Sequence, residues 1–426
     1  MTRPVPQRMV YTWPVFSPRT PASLGGKLRG RRTDRIRKSV RFDRTCAVVL
    51  ATIAAFALLF YSGCSRIVAD HVLHFGSNRG GTPFPKDLPG SWLQAFAKGH
   101  YLEVQDDPLV HLMIWVVEPR QFHAEIWYGE KDAPSVPEEW AVEATLHACG
   151  NVAASEFYPG SPATTITYLL RWFTKESTPP IMPIGTIIFL NGQGGCARTA
   201  SPMWPGVAYL ANAGYRVVMV DLRSQGDSTG EELGFVIKDA RDISKVLDWL
   251  ERKQLLTEPV GIMGHSYGSA SGGLAAVNDP RIRTAILSGT PMAWRSVLEF
   301  QLPQESFVWR IMSEEARERT FQIINERMGD EAYNLDARTF IATTTKPVLL
   351  LHGRLDDNVP VEHAIEIHRA RPEGTRLVIF EDCDHSSHFW THFDEVRALC
   401  LSWFAEHMKE KEAVASQVGE FDVEND

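Results

Sequence analysis

Three side chains that together can move an acyl group stand far apart in the 426-residue chain: Ser266, inside Gly264-His265-Ser266-Tyr267-Gly268, then Asp356, then His385. A serine hydroxyl becomes a nucleophile only when a base takes its proton. The base needs an acid to fix its tautomer, and the oxyanion that forms needs hydrogen-bond donors. The serine pentapeptide follows the apolar run Val260-Gly261-Ile262-Met263 and precedes a small-residue helical pattern, so it reads as strand, sharp turn and helix with the hydroxyl held outward. Glycine suits both flanks because a β-carbon would crowd the neighbouring strand and helix. His388 is the other candidate base and Asp357 the other candidate acid, whereas His265 and His352 read as packing or turn residues. His385, His388 and His392 also fit one helical face that, with Asp382 or Asp384, suggests a metal. A metal would compete for the imidazole that Ser266 needs, so no metal and no cofactor are expected.

These groups can meet only if the loops carrying them converge on one edge of a sheet, which for a parallel sheet is the carboxyl edge of its strands. The sequence supplies that alternation. Gly185–Leu190 is a short β-branched run ending at Asn191-Gly192-Gln193-Gly194-Gly195, Met203–Gly214 is helical, and Tyr215–Val220 is a strand. Asp239–Lys253 is amphipathic, with Ile243, Val246, Leu247 and Leu250 on one face. The serine strand, a helix over Tyr267–Val277 and a strand over Arg283–Ser288 follow, then strands at Lys346–Leu351 and Thr375–Phe380 and a last helix over Phe393–His407. Strands alternating with helices in this way mean an α/β fold, a doubly wound and mostly parallel sheet. Residues 292–345 break the rhythm with helical, charge-rich sequence carrying Trp294, Phe300, Phe307, Trp309 and Phe321, which reads as an inserted cap. Its aromatics are either a small packed core or the lining of an apolar acyl pocket. Earlier in the chain, His111–Val117 and Ala163–Phe173 read as β segments with a helical stretch beginning at Pro137–Val142 between them. Whether those segments join the main sheet or form a separate layer stays open.

The chain resembles the α/β-hydrolase superfamily over roughly residues 163–407. The resemblance rests on Gly264–Gly268 as nucleophile elbow, on the order Ser266, Asp356, His385, and on His352-Gly353-x-x-Asp356-x-x-Val359-Pro360 as the acid loop. Asn191-Gly192 stands where many members have His-Gly, and Asp221-x-Arg223-Ser224-x-Gly226 resembles the superfamily's D-x-R-G-x-G turn with serine in place of the first glycine. The elbow and acid loop are also similar to those of prolyl-oligopeptidase-type catalytic domains and acyl esterases. The resemblance implies Ser266 as nucleophile, His385 as base, Asp356 as orienting acid, and the backbone N–H groups of Gln193 and Tyr267 as the oxyanion hole. Serine at the nucleophile position sets aside the superfamily's dehalogenases and epoxide hydrolases, which use aspartate. An ester hydrolase acting on an apolar acyl substrate leads; a peptidase or amidase, an acyltransferase, and a catalytically silent binding protein of the same fold are the alternatives.

Net charge is −8, but residues 1–44 carry +10 and the remainder −18, so the acidic body repels nucleic-acid phosphates. After the basic arm, Cys46–Gly63 holds no charge and is about long enough to cross a bilayer. The domain plan expected is therefore a cytoplasmic arm (1–44), a transmembrane anchor or lipoprotein-type signal (45–66, with Ser62-Gly63-Cys64 resembling a lipobox), a tether (67–110), the catalytic domain (111–408) and an acidic disordered tail (409–426). Arg35, Arg37, Lys38, Arg41 and Arg44 before the apolar run place the catalytic domain outside the cytoplasm, bound to a membrane at the cell envelope or in the periplasm. Cys196 and Cys383 fall in loops at the same rim and are candidates for a disulfide.

Overall fold

The computed structural model describes residues 64–73, 97–106, 108–119, 122–128, 141–149, 167–174, 181–195, 197 and 204–409. The basic arm, the apolar run 46–63, Cys196 and residues 410–426 lie outside them. Among the described residues no helix is long and apolar enough to cross a membrane.

Eleven strands are described: β1 (Ala97–Asp106), β2 (Leu109–Val117), β3 (Phe122–Tyr128), β4 (Ala141–Cys149), β5 (Thr167–Thr174), β6 (Thr186–Leu190), β7 (Arg216–Asp221), β8 (Val260–His265), β9 (Ile282–Ser288), β10 (Val348–Gly353) and β11 (Thr375–Phe380). Eight form one sheet in the order β1-β2-β7-β6-β8-β9-β10-β11. From β7 to β11 every pairing is parallel, while β2 runs antiparallel to both β1 and β7. The other three make a separate antiparallel sheet in the order β3-β5-β4. The two early β segments thus part company, 111–117 entering the main sheet and 167–174 the small one.

The central strands are apolar throughout because helices cover both faces. In β6, Ile188 and Leu190 join one buried cluster while Ile187 and Phe189 join the other; β7 splits Val218 and Val220 from Val217 and Met219 in the same way. Helices α1 (Trp204–Asn212), α2 (Ile237–Arg252) and α3 (Tyr267–Asn278) follow β6, β7 and β8. The expected face of α2, Ile243, Val246, Leu247 and Leu250, is buried. Five helices, α4 (Trp294–Glu305), α5 (Phe307–Ile311), α6 (Glu314–Met328), α7 (Asp330–Tyr333) and α8 (Ala337–Thr343), fill the interval between β9 and β10. Ser306, Ser313 and Asp336 cap the starts of α5, α6 and α8 by accepting backbone N–H groups. α9 (Val361–Ala370) links β10 to β11, and α10 (His388–Thr391) and α11 (Phe393–His407) end the described chain.

Two expectations are corrected. The stretch beginning at Pro137–Val142 is not helical where it is described: 141–149 is β4, paired antiparallel with β5. Its sequence alternates Val142, Ala144, Leu146 and Ala148 with Glu143, Thr145 and His147, the two-residue period of a strand. The region read as a tether also contains structure, because β1 lies in it and residues 64–73 are helical. Cys64, Val68, Ala69, Val72 and Leu73 bury one side of that helix in the cluster that includes the cap. Ser65 Oγ donates to Ala316 O at 2.8 Å and Arg327 pairs with Asp70, both across to α6.

Candidate active site

Ser266 occupies the single residue between β8 and α3, with φ 51° and ψ −123°. That left-handed conformation costs a side-chain-bearing residue about 1–3 kcal/mol and persists because its surroundings fix it. Ser266 N donates to Ser288 O at 2.7 Å, and Ser266 O accepts from Ser269 N at 2.9 Å. The flanking glycines are sterically required: a β-carbon would sit 2.5 Å from Gly268 O at position 264 and 2.3 Å from Asn191 O at position 268.

The candidate acid and base come from the ends of β10 and β11. Asp356 Oδ2 accepts from His385 Nδ1 at 2.7 Å, while Oδ1 accepts from Asn358 N at 2.9 Å and Val359 N at 2.7 Å. Asp356 and His385 are each 7% exposed, so their bond is shielded from water. Burial pulls the Asp356 carboxyl upward. The charge of His385 and the hydrogen bonds from His352 and His385 outweigh it and hold Asp356 well below the usual carboxylate range. A carboxylate on Nδ1 leaves Nε2 as the ring's working nitrogen. The ring lies over Gly289, where a β-carbon would come within 2.9 Å of His385 Cε1, and beside His265 at 4.6 Å between centroids. Among the described residues no hydrogen bond joins Ser266 to His385, a contact that commonly tightens only when substrate is bound.

The competing candidates separate cleanly. Asp357 is exposed and its carboxylate accepts from the Asn358 side chain rather than from a histidine. His388 is fully buried and bonds Ser288 Oγ at 2.9 Å, and Ser288 Oγ in turn lies 3.3 Å from His265 Nδ1. Burial first, then the charge on His385, lowers His388 to about 3 and takes His265 well below its ordinary value, so both stay neutral beside the base. His392 bonds Asp382 at 2.8 Å. The three histidines thought to share one helical face each have a different partner. Cys383 carries a free thiol in contact with Thr391 Oγ1, and its suggested partner Cys196 lies outside the described residues.

Two residues do more than the sequence reading assigns them. His352, expected as a packing or turn residue, is fully buried in the acid-loop turn, where its Nε2 donates to Val359 O at 2.8 Å and stands 3.1 Å from Asp356 Oδ2, so it braces the acid loop. Its four-residue spacing from Asp356 was the available signal. Asp239, in the first turn of α2, bonds the Tyr267 hydroxyl, and both side chains accept from Val236 N at 3.2 Å. Phe235 and Val236 hold φ of 49° and 68°, a second strained turn beside the elbow.

Ser266, Gln193 and Tyr267 share one open cleft, roofed by Met292, Trp294, Val297 and Leu298 of the cap region. Tyr267 N is the first N–H of the 12-residue α3, where the helix dipole favours negative charge, and Gln193 follows β6 on the same rim. His71 and Val72 of the 64–73 helix complete the wall, and Gln301 Nε2 ties the cap to the acid loop by donating to Asn358 O at 2.9 Å.

The profile of the Alpha/beta hydrolase family matches residues 187–399, half of the chain. Among curated proteins the chain is similar to the uncharacterized protein YfhR of Escherichia coli O157:H7, 26% identical over 230 residues that cover 52% of this chain and 71% of that one. It is also similar to the uncharacterized protein YqkD of Bacillus subtilis strain 168, 24% identical over 181 residues covering 41% of this chain and 56% of that one. Among solved structures it is similar to the Pyrococcus furiosus esterase Pf2001, with 16% identity, a TM-score of 0.49 and coverage of 77% of this chain and 96% of that one.

Proposed function

Because the chain belongs to the alpha/beta hydrolase family, we propose that it is a serine hydrolase cleaving carboxylic esters through an acyl-enzyme on Ser266. The observation that carries this is the buried 2.7 Å bond from His385 Nδ1 to Asp356 Oδ2, at the strand edge where Ser266 is held in a left-handed turn. His385 Nε2 takes the hydroxyl proton as Ser266 Oγ attacks the ester carbonyl, and the N–H groups of Gln193 and Tyr267 receive the oxyanion. The imidazolium then protonates the departing alkoxide. Water, deprotonated by the same ring, releases the acid and restores Ser266. Asp356 stays ionised throughout and pairs with the imidazolium.

The apolar cap roof supports an apolar acyl group as the part of the substrate bound in the cleft. The basic arm and the uncharged run 46–63 support attachment to a membrane with the catalytic domain on its outer side. A fluorophosphonate probe tests the nucleophile: the wild-type protein labels and Ser266→Ala does not, and equal labelling of both would remove Ser266 from the mechanism. p-Nitrophenyl esters of increasing chain length, run beside peptide p-nitroanilides, test the reaction class. Faster turnover of the anilides would make the protein an amidase.

A further inference from the structure

We propose that Asp382, Cys383 and His392 form a binding site for a divalent cation of zinc type at the foot of the loop that carries His385. One ligand atom from each residue lies within 4.8 Å of the other two. Asp382 Oδ1 is 2.8 Å from His392 Nε2 and 3.7 Å from Cys383 Sγ. Ligands at about 2.0–2.3 Å from a tetrahedral zinc stand roughly 3.3–3.8 Å from one another, so Asp382 and His392 must part by about half an ångström and His392 and Cys383 must close by no more than about 1 Å to reach zinc geometry. Thiolate with imidazole and carboxylate is a donor set that suits zinc and is poor for calcium or magnesium.

A second set of contacts matches what metal sites place around their ligands. The other nitrogen of His392, Nδ1, faces Glu395 Oε2 at 3.4 Å, and a carboxylate on the distal nitrogen turns the opposite one toward a metal. Thr391 Oγ1 lies 3.2 Å from Cys383 Sγ and steadies the sulfur. The side chains of Asp382 and His392 are 72% and 29% exposed, while Cys383 is fully buried, so sulfur makes the floor and the other two the open mouth. Water from the solvent side would complete the coordination. On binding, the proton between Asp382 and His392 and the thiol proton leave to solvent, and no group changes oxidation state.

None of the three ligands belongs to the proposed catalytic machinery. The site closes residues 384–391 into a loop, fixed at one end by 382–383 and at the other by 392. That loop carries His385 and the fully buried His388. Metal occupancy therefore rigidifies the segment that presents the imidazole without consuming it.

The test is a titration of the purified full-length chain with Co²⁺ as a spectroscopic stand-in for Zn²⁺. The expected result is a thiolate-to-cobalt charge-transfer band that saturates at one equivalent, disappears on adding Zn²⁺, and is missing in Cys383→Ser. Asp382→Asn, at an exposed position, and His392→Ala, at a half-buried one, weaken binding at least about tenfold. Zn²⁺ raises the melting temperature of the wild type and leaves that of His392→Ala unchanged. A wild-type spectrum without a thiolate band, or a band that persists in Cys383→Ser, overturns the site. The readout is absorption and melting, so the outcome is independent of whether the protein hydrolyses esters.

Discussion

Replacing Asp356 with asparagine exchanges one carboxylate oxygen for an amide NH₂ at nearly constant volume. The oxygen that accepts from Asn358 N and Val359 N at 2.9 and 2.7 Å can be kept, which fixes the amide orientation. The NH₂ must then occupy the Oδ2 position, where it meets His385 Nδ1 at 2.7 Å and His352 Nε2 at 3.1 Å. Donor faces donor, so His385 must move its proton to Nε2 and can no longer accept one from Ser266. The imidazolium also loses its buried counter-charge. Loss of the orienting acid in a serine triad typically lowers kcat about 10⁴-fold, which corresponds to about 5.5 kcal/mol of transition-state stabilisation. The lost charge-assisted hydrogen bonds should also lower stability by about 2–4 kcal/mol. Steady-state hydrolysis of p-nitrophenyl butyrate gives kcat, and urea denaturation separates catalytic from folding effects. Asp357→Asn, at an exposed position, is the control and should stay within about twofold. If Asp356→Asn keeps more than a tenth of the wild-type kcat, or if the control falls as far, the assignment of the acid is refuted.

Three further outcomes follow from other contacts. Burial, with the charge of Asp242 adding to it, raises Asp239 to about 6 against the opposing hydrogen bonds from Tyr267 and Val236 and the charge of Arg223. Because its native pKa lies above the unfolded value of about 3.9, its contribution to stability is fully present below about pH 4 and is lost as pH rises through 6, about 3 kcal/mol in all. In Asp239→Asn that part of the pH dependence should vanish from urea midpoints measured between pH 4.5 and 7; an unchanged slope refutes it. Gly268→Ala places a β-carbon 2.3 Å from Asn191 O, a backbone atom, and should destabilise the protein by about 1–3 kcal/mol while displacing the Gln193 turn and its activity. His352→Ala should lower kcat about tenfold with little change in KM, and His352→Gln, which keeps a donor toward Asp356, should recover most of it; equal losses in both would mean that His352 only fills space.

How much of this could be read from the sequence depended on which residues a given element buries. β6, β7, β8 and β10 are covered on both faces and announce themselves as uninterrupted apolar runs. The loops after β8, β10 and β11 then fall at the carboxyl edge of the sheet by topology alone, which is why Asp356 and His385 were found before their contact was. β1 was missed because it is an edge strand: Leu102 and Val104 turn inward while Tyr101 and Glu103 meet solvent, and Lys98, Gly99 and His100 blur its start. The 64–73 helix carries a legible pattern, Cys64, Val68 and Val72 at four-residue spacing, but glycine and proline downstream gave the segment the composition of a linker. Polar contacts across long separations were out of reach. The Tyr267 hydroxyl meets a carboxylate 28 positions upstream, and Ser288 meets His388 across 100, so neither pairing follows from propensity or period.

The 64–73 helix has a practical corollary. Its His71 and Val72 form part of the wall beside Ser266, and its Asp70 and Ser65 are fastened to α6 of the cap. A shortened chain that begins at β1 would keep every strand of the main sheet and Ser266, Asp356 and His385, yet it would leave a breach in the side of the cleft and unfasten α6 at Ala316 and Arg327. Trimming for crystallisation or expression should therefore stop ahead of Cys64.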